Sequence, residues 1–326
     1  MPCYHPLHGF YSRALRKMFF GTIPHDIIAQ YHDSFEEMAV PCGKCIGCRL
    51  EYSRKWAIRC VHEALLYVDN CFITLTYDEA NLPANNSLCK RDFQLFMKRL
   101  RKSFPFDDIR FFAAGEYGDN TARPHYHAIL FNFTPPDYKP GRNLLQLDPL
   151  SNDVDWSTLW NSSSTLDVLS SSSSTPLPSS AAYSARLASI WKKGLVFCGN
   201  VTFESCAYVA RYCLKKINGK DAEEHYKGRE KEFVLMSRRP GIGAAWLDKF
   251  GPETLANDAV ICRGHFCKPP RYYDNLLEEF DKEKMLENKE KRRKFAKIKE
   301  KELTQERLYA MEEIVESRQK RNEKKL

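Results

Sequence analysis

The sequence predicts an α+β protein in which an antiparallel β-sheet has helices packed against one of its faces. Helical segments with a period of about 3.6 residues alternate with short strands rich in β-branched and aromatic residues. Two of these strands, at 110–116 and 125–133, are separated by a turn containing Gly118, Asp119 and Asn120, as expected for a hairpin. Strands that pair through short turns form antiparallel sheets, and helices interspersed with them cover the sheet.

Each element is predicted from its own pattern of side chains. The first helix has apolar residues at helical spacing interleaved with Arg54, Lys55 and Arg59, and is therefore basic and amphipathic. The last predicted helix of the sheet region ends at Asn218-Gly219, a common stop signal. The predicted elements are, in order, a helix at 49–68, a strand at 71–77, a helix at 91–103, strands at 110–116, 125–133 and 195–203, and a helix at 204–217.

The sequence predicts three further regions: a segment before the α+β core, an insertion within it and a tail after it. Residues 1–48 form a cysteine-rich amino-terminal segment, and the main domain occupies 49–273. Within it, about 134–190 is an irregular insertion that contains Pro135-Pro136 and the serine run 170–174. From 274 to 326 the chain is highly charged and contains neither Gly nor Pro, which indicates a solvated helix, with a short coiled coil or a disordered tail as the alternatives.

The composition restricts the compartment and the class of partner. Lys and Arg outnumber Asp and Glu by 50 to 42, giving a formal charge of +8, and 13% of residues are aromatic, so a polyanion such as nucleic acid is a plausible partner. The amino terminus lacks a signal-peptide pattern, and no apolar run is long enough to cross a bilayer. A soluble, non-exported protein with no membrane partner is expected, and its 12 cysteines are expected to be reduced, with some binding metal.

His125 and His127 flank Tyr126 in an apolar, strand-like segment. Residues two apart in a strand share a face, so both imidazoles leave one face and Tyr126 leaves the other. The hairpin places Glu116 opposite His125 and diagonal to His127, within about 5–8 Å. A carboxylate with two imidazoles suits catalytic Mg²⁺ or Mn²⁺ and does not exclude Zn²⁺. The alternative is that Glu116 forms a surface ion pair with Arg123 or Arg110, and that the histidines are half-buried and without metal.

The predicted helix at 204–217 has two stripes. One is apolar, and the other places Tyr208 and Tyr212 one turn apart beside Arg211 and Lys215. Tyrosine at helical spacing often serves packing, but these phenols share the polar stripe. Neighbouring cations and a metal-polarised phosphate would both help a phenol attack. Lys215 or Lys216 is a candidate basic helper near the phosphate, with a solvated helix end as the alternative.

A thiolate cluster precedes the first helix. Cys42, Cys45 and Cys48 follow a spacing that suits a structural zinc site, which needs four ligands. Cys3 is the candidate fourth ligand, followed by His5 or His8; redox-inert cysteines are the alternative. A second grouping of Cys262, His265 and Cys267 is weaker, and no metal is assigned to it.

Taken together, these motifs resemble those of the HUH-type rolling-circle replication initiators, especially those of the Microviridae and their gokushovirus branch. The resemblance rests on the His125-Tyr126-His127 triplet, the upstream strand at 72–76 and the helix carrying Tyr208 and Tyr212. The run from Pro41 to Cys48 and the run from Ser237 to Gly243 add to it. It covers roughly residues 1–133 and 190–273, and leaves the insertion and the tail without a role.

The resemblance implies an endonuclease domain at 49–273 with a sheet core. His125, His127 and Glu116 would bind the catalytic metal ion, and Tyr208 and Tyr212 would be the nucleophile pair. Such an enzyme nicks single-stranded DNA at a replication origin, forms a 5′-phosphotyrosine and a free 3′-OH that primes synthesis, and later rejoins the strand. The residues do not indicate which tyrosine attacks first.

The resemblance also implies the setting, a bacterial host's cytoplasm. No phosphate-binding loop of the Gly-x-x-x-x-Gly-Lys-Ser/Thr type is found in the sequence, so a host helicase is expected beside a host DNA polymerase. Two other hypotheses stay open from the sequence. One is a non-catalytic, zinc-containing nucleic-acid-binding protein whose tyrosines stack on bases, and the other is a plasmid initiator, relaxase or transposase of the same superfamily.

Overall fold

The structure is a computed structural model that describes residues 3–31, 34–118, 121–139, 182–211, 221–300 and 302–323. Within these ranges the chain is α+β, as predicted. The strands are β1 (Leu7–Ser12), β2 (Lys17–Phe19), β3 (Phe35–Val40), β4 (Asn70–Thr76), β5 (Arg110–Tyr117), β6 (Pro124–Phe131), β7 (Ala182–Tyr183), β8 (Val196–Gly199), β9 (Phe233–Met236), β10 (Val260–Cys262) and β11 (His265–Cys267). The helices are α1 (His25–Tyr31), α2 (Ile46–Ala64), α3 (Lys90–Ser103), α4 (Ala185–Trp191), α5 (Phe203–Arg211), α6 (Asp221–Tyr226), α7 (Ala244–Asn257), α8 (Arg271–Phe280), α9 (Lys282–Glu300) and α10 (Gln305–Glu323).

The core is a six-stranded sheet with the order β7-β8-β4-β6-β5-β9. All its pairs are antiparallel, and the predicted hairpin is β5–β6. Strand β4, which comes first of these in the chain, lies between β8 and β6 and so sits at the centre of the sheet. The central strands β4 and β6 carry the 72–76 motif and the two predicted histidine ligands, and the neighbouring β5 carries Glu116.

Helices cover both faces of this sheet, so the prediction of a single covered face is wrong. Phe72 and Ile129 pack on one side against α2, α5, α7 and α8. Ile73 and Leu130, one residue away on each strand, pack on the other side against α3 and α4. The reason is visible in β4, where apolar residues occupy successive positions and both faces are buried.

The carboxy-terminal tail is helical, as the preferred interpretation predicted, but it is not solvated throughout. Helix α10 buries Leu308 and Val315 against Tyr4 and Cys45 of the amino-terminal segment and against Leu50 of α2. Leu308, Met311 and Val315 recur at helical spacing, so the sequence did contain this apolar stripe within its dense charge.

Part of the predicted insertion is regular. Strand β7 and nearly all of α4, which ends at Trp191, lie inside the irregular segment expected at about 134–190. Ser184 caps α4 by accepting a hydrogen bond from the Leu187 amide, and Trp191 is fully buried in the core. The serine run and most of the rest of the insertion lie outside the described residues. Among the helices that are described, none is long and apolar enough to span a membrane.

The buried imidazole of His62 makes the stability of this fold depend on pH. His62 stacks on Trp246 with 3.7 Å between ring centroids and lies 3.1 Å from Tyr273 Oη. Burial lowers the pKa of His62 to about 4, whereas the backbone carbonyl of Ile261 opposes that shift. The unfolded chain, with a histidine pKa of about 6.5, binds this proton more readily, so stability falls as the pH drops from 6.5 towards 4.

We expect the free energy of unfolding to fall by about 2 kcal/mol from this residue between pH 7 and pH 5. Denaturant unfolding at a series of pH values measures it. The His62→Gln variant should be less stable at pH 7 but should show a shallower dependence on pH. An equal slope in the two proteins would assign the pH dependence to other groups.

Candidate active site

The β5–β6 hairpin brings three potential metal ligands together on one face of the sheet. Glu116 pairs with His125 in register, and His127 is the next residue of β6 on that face. Glu116 Oε1 lies 2.6 Å from His125 Nε2 and 3.0 Å from His127 Nε2. One ligand atom from each residue lies within 4.8 Å of the others, which suits a shared divalent cation. Tyr126 is fully buried in the core on the opposite face, as the alternation predicts.

Oxygen atoms behind the two imidazoles orient them. Thr74 Oγ1 lies 2.9 Å from His127 Nδ1, and the Arg123 carbonyl oxygen lies 3.1 Å from His125 Nδ1. A metal-binding imidazole presents an unprotonated nitrogen, so with a cation bound each Nδ1–H would donate to its oxygen, and each Nε2 would give up the proton that it otherwise donates to Glu116. Supporting oxygens of this kind are typical of histidine ligands in proteins.

The charge of the cluster favours a cation. Glu116 is only 2% exposed. Burial raises the pKa of this carboxyl group, but hydrogen bonds from His125 and His127 outweigh burial and lower the pKa to about 2. The carboxylate is therefore ionised near neutral pH and supplies a negative oxygen at the point where the imidazoles meet.

The ion pairs that offered an alternative role for Glu116 are made by other residues. Arg110 pairs with the buried Glu63, and Arg123 pairs with Glu79 at 2.6 Å. Glu116 instead faces the histidines, which removes the surface ion-pair interpretation.

Tyr208 reaches the same cluster from the helix α5 that covers this face. Its Oη lies 3.4 Å from His127 Nε2, and its ring meets the His127 ring edge-on at 5.0 Å. The apolar stripe of α5, with Cys206, Val209 and Ala210 buried, seats the helix in the core and leaves Tyr208 partly exposed. A phenol is thus held beside three potential ligands. Tyr212, Lys215 and Lys216 lie outside the described residues.

Thr74 is a site residue that sequence reasoning missed. The strand at 72–76 belongs to the motif pattern of the sequence, but the sequence assigns no role to its side chains. The available signal was a polar residue within an apolar strand, and the register places Thr74 opposite His127. The hydroxyl group reaches His127 only because β4 and β6 are neighbours, which the sequence did not establish.

Replacing Thr74 with valine should weaken metal binding at this cluster about tenfold to a hundredfold. Valine keeps the shape of threonine but removes the oxygen that faces His127 Nδ1, so the imidazole loses its orienting partner. Calorimetric titration with Mn²⁺ measures the affinity, and Thr74→Ser is the matched control because it retains the hydroxyl group. Wild-type affinity in Thr74→Val would contradict the orienting role.

Four cysteines form a second cluster, at the start of α2. Ligand atoms of Cys3, Cys42, Cys45 and Cys48 all lie within 4.8 Å of one another. Cys3 Sγ is 3.8 Å from Cys45 Sγ, and the amides of Lys44 and Cys45 point at Cys42 Sγ at 3.4 and 3.3 Å. Amides directed at a sulfur favour its thiolate form. Although burial opposes this effect, the pKa of Cys42 falls to about 7.

The alternatives for the fourth ligand are placed elsewhere. His5 Nε2 lies 2.6 Å from Glu312 Oε2 of α10, and His8 is exposed on strand β1. The four-thiolate set is the chemistry of a closed structural zinc site. The weaker grouping, Cys262, His265 and Cys267, lies on the β10–β11 hairpin, and in the described ranges it does not converge on one point.

Two of the basic residues on helix α2, Arg54 and Arg59, are buried. Arg54 pairs with Glu51 at 2.7 Å and is largely buried. Arg59 donates to the Ile242 carbonyl oxygen at 2.9 Å, and its guanidinium group lies 4.1 Å from the Trp56 ring centroid. The helix is basic, as the sequence predicts, but both of these arginines stabilise the core.

Comparison with known proteins places the chain in a family. Residues 70–217 match the family described as Replication-associated protein ORF2/G2P, a range that contains the three potential ligands and Tyr208. The chain is also 32% identical over 276 residues to the replication-associated protein VP4 of Bdellovibrio phage phiMH2K, covering 82% of this chain and 75% of that protein. The chain belongs to the replication-associated proteins of Microviridae-like phages.

Two further members of the family show how widely the similarity extends. The replication-associated protein ORF2 of Spiroplasma virus 4 is 28% identical over 317 residues, covering 91% of this chain and 87% of that protein. The replication-associated protein ORF4 of Chlamydia phage 1 is 27% identical over 247 residues, covering 73% of this chain and 53% of that protein. No solved structure matches the chain significantly.

Proposed function

We propose that this phage replication-associated protein is a replication initiator that nicks and rejoins single-stranded DNA at the phage origin through a tyrosine nucleophile. One observation carries the proposal. A phenol, Tyr208, lies 3.4 Å from an imidazole that shares a cation-compatible cluster with a second imidazole and a carboxylate. That combination provides a nucleophile and a phosphate-activating site at one point.

The donor set fits Mg²⁺ or Mn²⁺. Two imidazole nitrogens and one carboxylate oxygen would hold the ion and leave positions open for water and phosphate. When bound, the cation would polarise the scissile phosphate and offset its charge. The protein's own part is to orient His125 and His127 through their Nδ1 atoms, to keep Glu116 ionised and to hold Tyr208 beside the phosphate.

The reaction that these residues support is a phosphoryl transfer. Tyr208 Oη forms a bond to phosphorus, and the bond from phosphorus to the 3′ oxygen breaks. The proton that the phenol loses is balanced by the proton that the 3′ oxygen gains. The products are a 5′-phosphotyrosine and a free 3′-OH, which primes synthesis for rolling-circle replication. Because the link is still a phosphodiester, a 3′-OH would attack its phosphorus, release the Tyr208 phenol and rejoin the strand, and Tyr212 would serve as the nucleophile for a second nick.

The biological setting forms part of the proposal. The protein would act in the cytoplasm of the bacterial host on the phage's replication origin. A host helicase and a host DNA polymerase would separate and copy the strands. The four-cysteine cluster would bind a structural Zn²⁺ that orders the amino-terminal segment.

A covalent-adduct assay tests the proposal. The full-length protein is incubated with single-stranded DNA that carries the phage origin, in Mg²⁺, in Mn²⁺ or in EDTA. We expect a heat- and detergent-stable protein–DNA band in the presence of either metal ion and none in EDTA. Absence of the adduct under every metal, with DNA binding intact, would favour the non-catalytic zinc-containing DNA-binding protein instead.

A further inference from the structure

The segment 237–243, Ser-Arg-Arg-Pro-Gly-Ile-Gly, follows the edge strand β9 and has no part in the chemistry above. Its first residue extends the pairing of β9 with β5. The Ser237 amide donates to the Phe111 carbonyl oxygen at 2.9 Å, and Ser237 Oγ accepts from the Phe111 amide at 3.1 Å. The segment therefore starts from a defined point at one end of the sheet.

A buried ion pair holds the second half of the segment. Glu63 is fully buried, pairs with Arg110, and accepts a hydrogen bond from the Gly243 amide at 2.6 Å. Arg110 also donates to the Pro240 carbonyl oxygen at 2.8 Å. Buried charges need such partners, so this network resists rearrangement of the loop.

Two more contacts fix the remaining backbone. Arg59 donates to the Ile242 carbonyl oxygen at 2.9 Å, and its guanidinium group lies 3.9 Å from the Tyr272 ring centroid. Gly241 lies so close to Tyr272 that an added Cβ would come within 2.4 Å of its hydroxyl oxygen. Gly243 has a φ of +81°, a conformation that suits glycine.

This anchored backbone presents two neighbouring cations to solvent. Arg238 and Arg239 are both exposed, and in the described part of the chain neither guanidinium group has an ion pair or a hydrogen bond. Exposed arginines commonly move freely on flexible loops, whereas these two project from a backbone held at Ser237, Pro240, Ile242 and Gly243. An exposed guanidinium group on an anchored backbone is suited to bidentate contact with phosphate.

The segment 237–243 lies at a distance from the candidate active site that allows one DNA strand to contact both. Ser237 pairs with Phe111, five residues before Glu116 on β5. At about 3.3 Å per residue, Phe111 and Glu116 are about 17 Å apart along β5. That distance is spanned by about five nucleotides at the 3.4 Å spacing of B-form DNA, and by fewer in an extended strand.

We propose that Arg238 and Arg239 form a phosphate clamp for the single-stranded DNA that enters the active site. The inference rests on the proposed function, because it takes the nicked strand as the occupant. The clamp would contact the sugar–phosphate backbone, not base edges, and so would contribute equally for any sequence. It would hold the strand a few nucleotides from the scissile phosphate while Tyr208 acts.

The test is equilibrium binding of fluorescent single-stranded oligonucleotides to full-length Arg238→Gln/Arg239→Gln, measured in EDTA over a range of salt concentrations. Each phosphate contact adds about 0.7 to the slope of log K against log salt for single strands, so the double variant should lose about 1.4 from that slope. The loss should be the same for origin and non-origin sequences. Because nothing is cleaved in EDTA, this result does not depend on the nicking activity.

Two control proteins make the test specific. Arg16→Gln/Lys17→Gln removes an equally exposed adjacent pair from the amino-terminal sheet and should leave the slope unchanged. Arg238→Lys/Arg239→Lys keeps the charges and should retain most of the slope, which separates charge loss from misfolding. A wild-type slope in the glutamine variant, or an equal loss in the amino-terminal control, would overturn the clamp. Loss confined to origin DNA would also overturn it, because it would indicate contacts to bases.

Discussion

His127→Ala should lower formation of the covalent protein–DNA adduct at least a hundredfold while leaving the fold intact. His127 offers Nε2 to the cluster and stacks on Phe72, and Tyr208 Oη lies 3.4 Å from it. Removing it takes away a ligand and the group beside the nucleophile, and loss of a metal ligand commonly costs several orders of magnitude in rate. Single-turnover nicking of origin DNA in Mn²⁺ measures the effect.

The same assay distinguishes the nucleophiles. Tyr208→Phe removes only the hydroxyl group and keeps the ring that packs edge-on against Phe72. If Tyr208 attacks first, this variant loses the adduct; if Tyr212 attacks first, Tyr212→Phe does; the double variant should form none in either case. Tyr183→Phe, at an exposed tyrosine of β7, is the control and should behave as wild type. Adduct in the double variant or wild-type rates in His127→Ala would contradict the proposed chemistry.

Cys45→Ser should remove about one zinc ion per chain and loosen the contact between the two ends of the protein. Cys45 is buried with Tyr4 and Leu50 against Leu308 and Val315 of α10, so the cluster and the carboxy-terminal helix share one small apolar core. Such a core is too small to be stable alone, and a bound metal would supply much of its folding free energy. Metal analysis reports the zinc, and hydrogen exchange reports the protection of α10 amides.

Cys89→Ser is the matched control for this prediction. Cys89 is a partly buried free cysteine that precedes α3 and lies outside the four-cysteine cluster. The Cys89→Ser variant should keep its zinc ion, and its α10 amides should stay protected from hydrogen exchange. Full zinc in Cys45→Ser would rule out the structural site. Lost zinc with unchanged protection of α10 would show that the helix docks without the metal.

Local patterns in the sequence predicted most of the sheet core. The β5–β6 hairpin, the Glu116–His125 register and the opposite orientation of Tyr126 follow from the two-residue period of strands and a short turn. Helix α2 begins at Ile46 where 49 was predicted, and α3 begins at Lys90 where 91 was predicted. These features depend on neighbours within about ten residues, so no knowledge of the fold was needed.

Contacts between segments that are far apart in the sequence could not be predicted from local patterns. The sequence predicts a basic amphipathic helix with Arg54 and Arg59, but it does not show that Arg59 donates to a carbonyl group 183 residues later. Thr74 acquires a role only because β4 pairs with β6 across 53 residues. The docking of α10 on the cysteine cluster joins the two ends of the chain, and its apolar stripe was masked by dense charge.

The sequence by itself determined the α+β class, the set of candidate ligands and the chemistry of those ligands, because side-chain type and strand period are local properties. Only the tertiary structure decided that Tyr208 meets His127, that Cys3 joins Cys42, Cys45 and Cys48, and that both faces of the sheet are covered. Those arrangements depend on which segments bury apolar surface against each other. The hydrophobic effect is non-directional, so an apolar stripe in the sequence shows that a segment is buried but not which other segment it packs against.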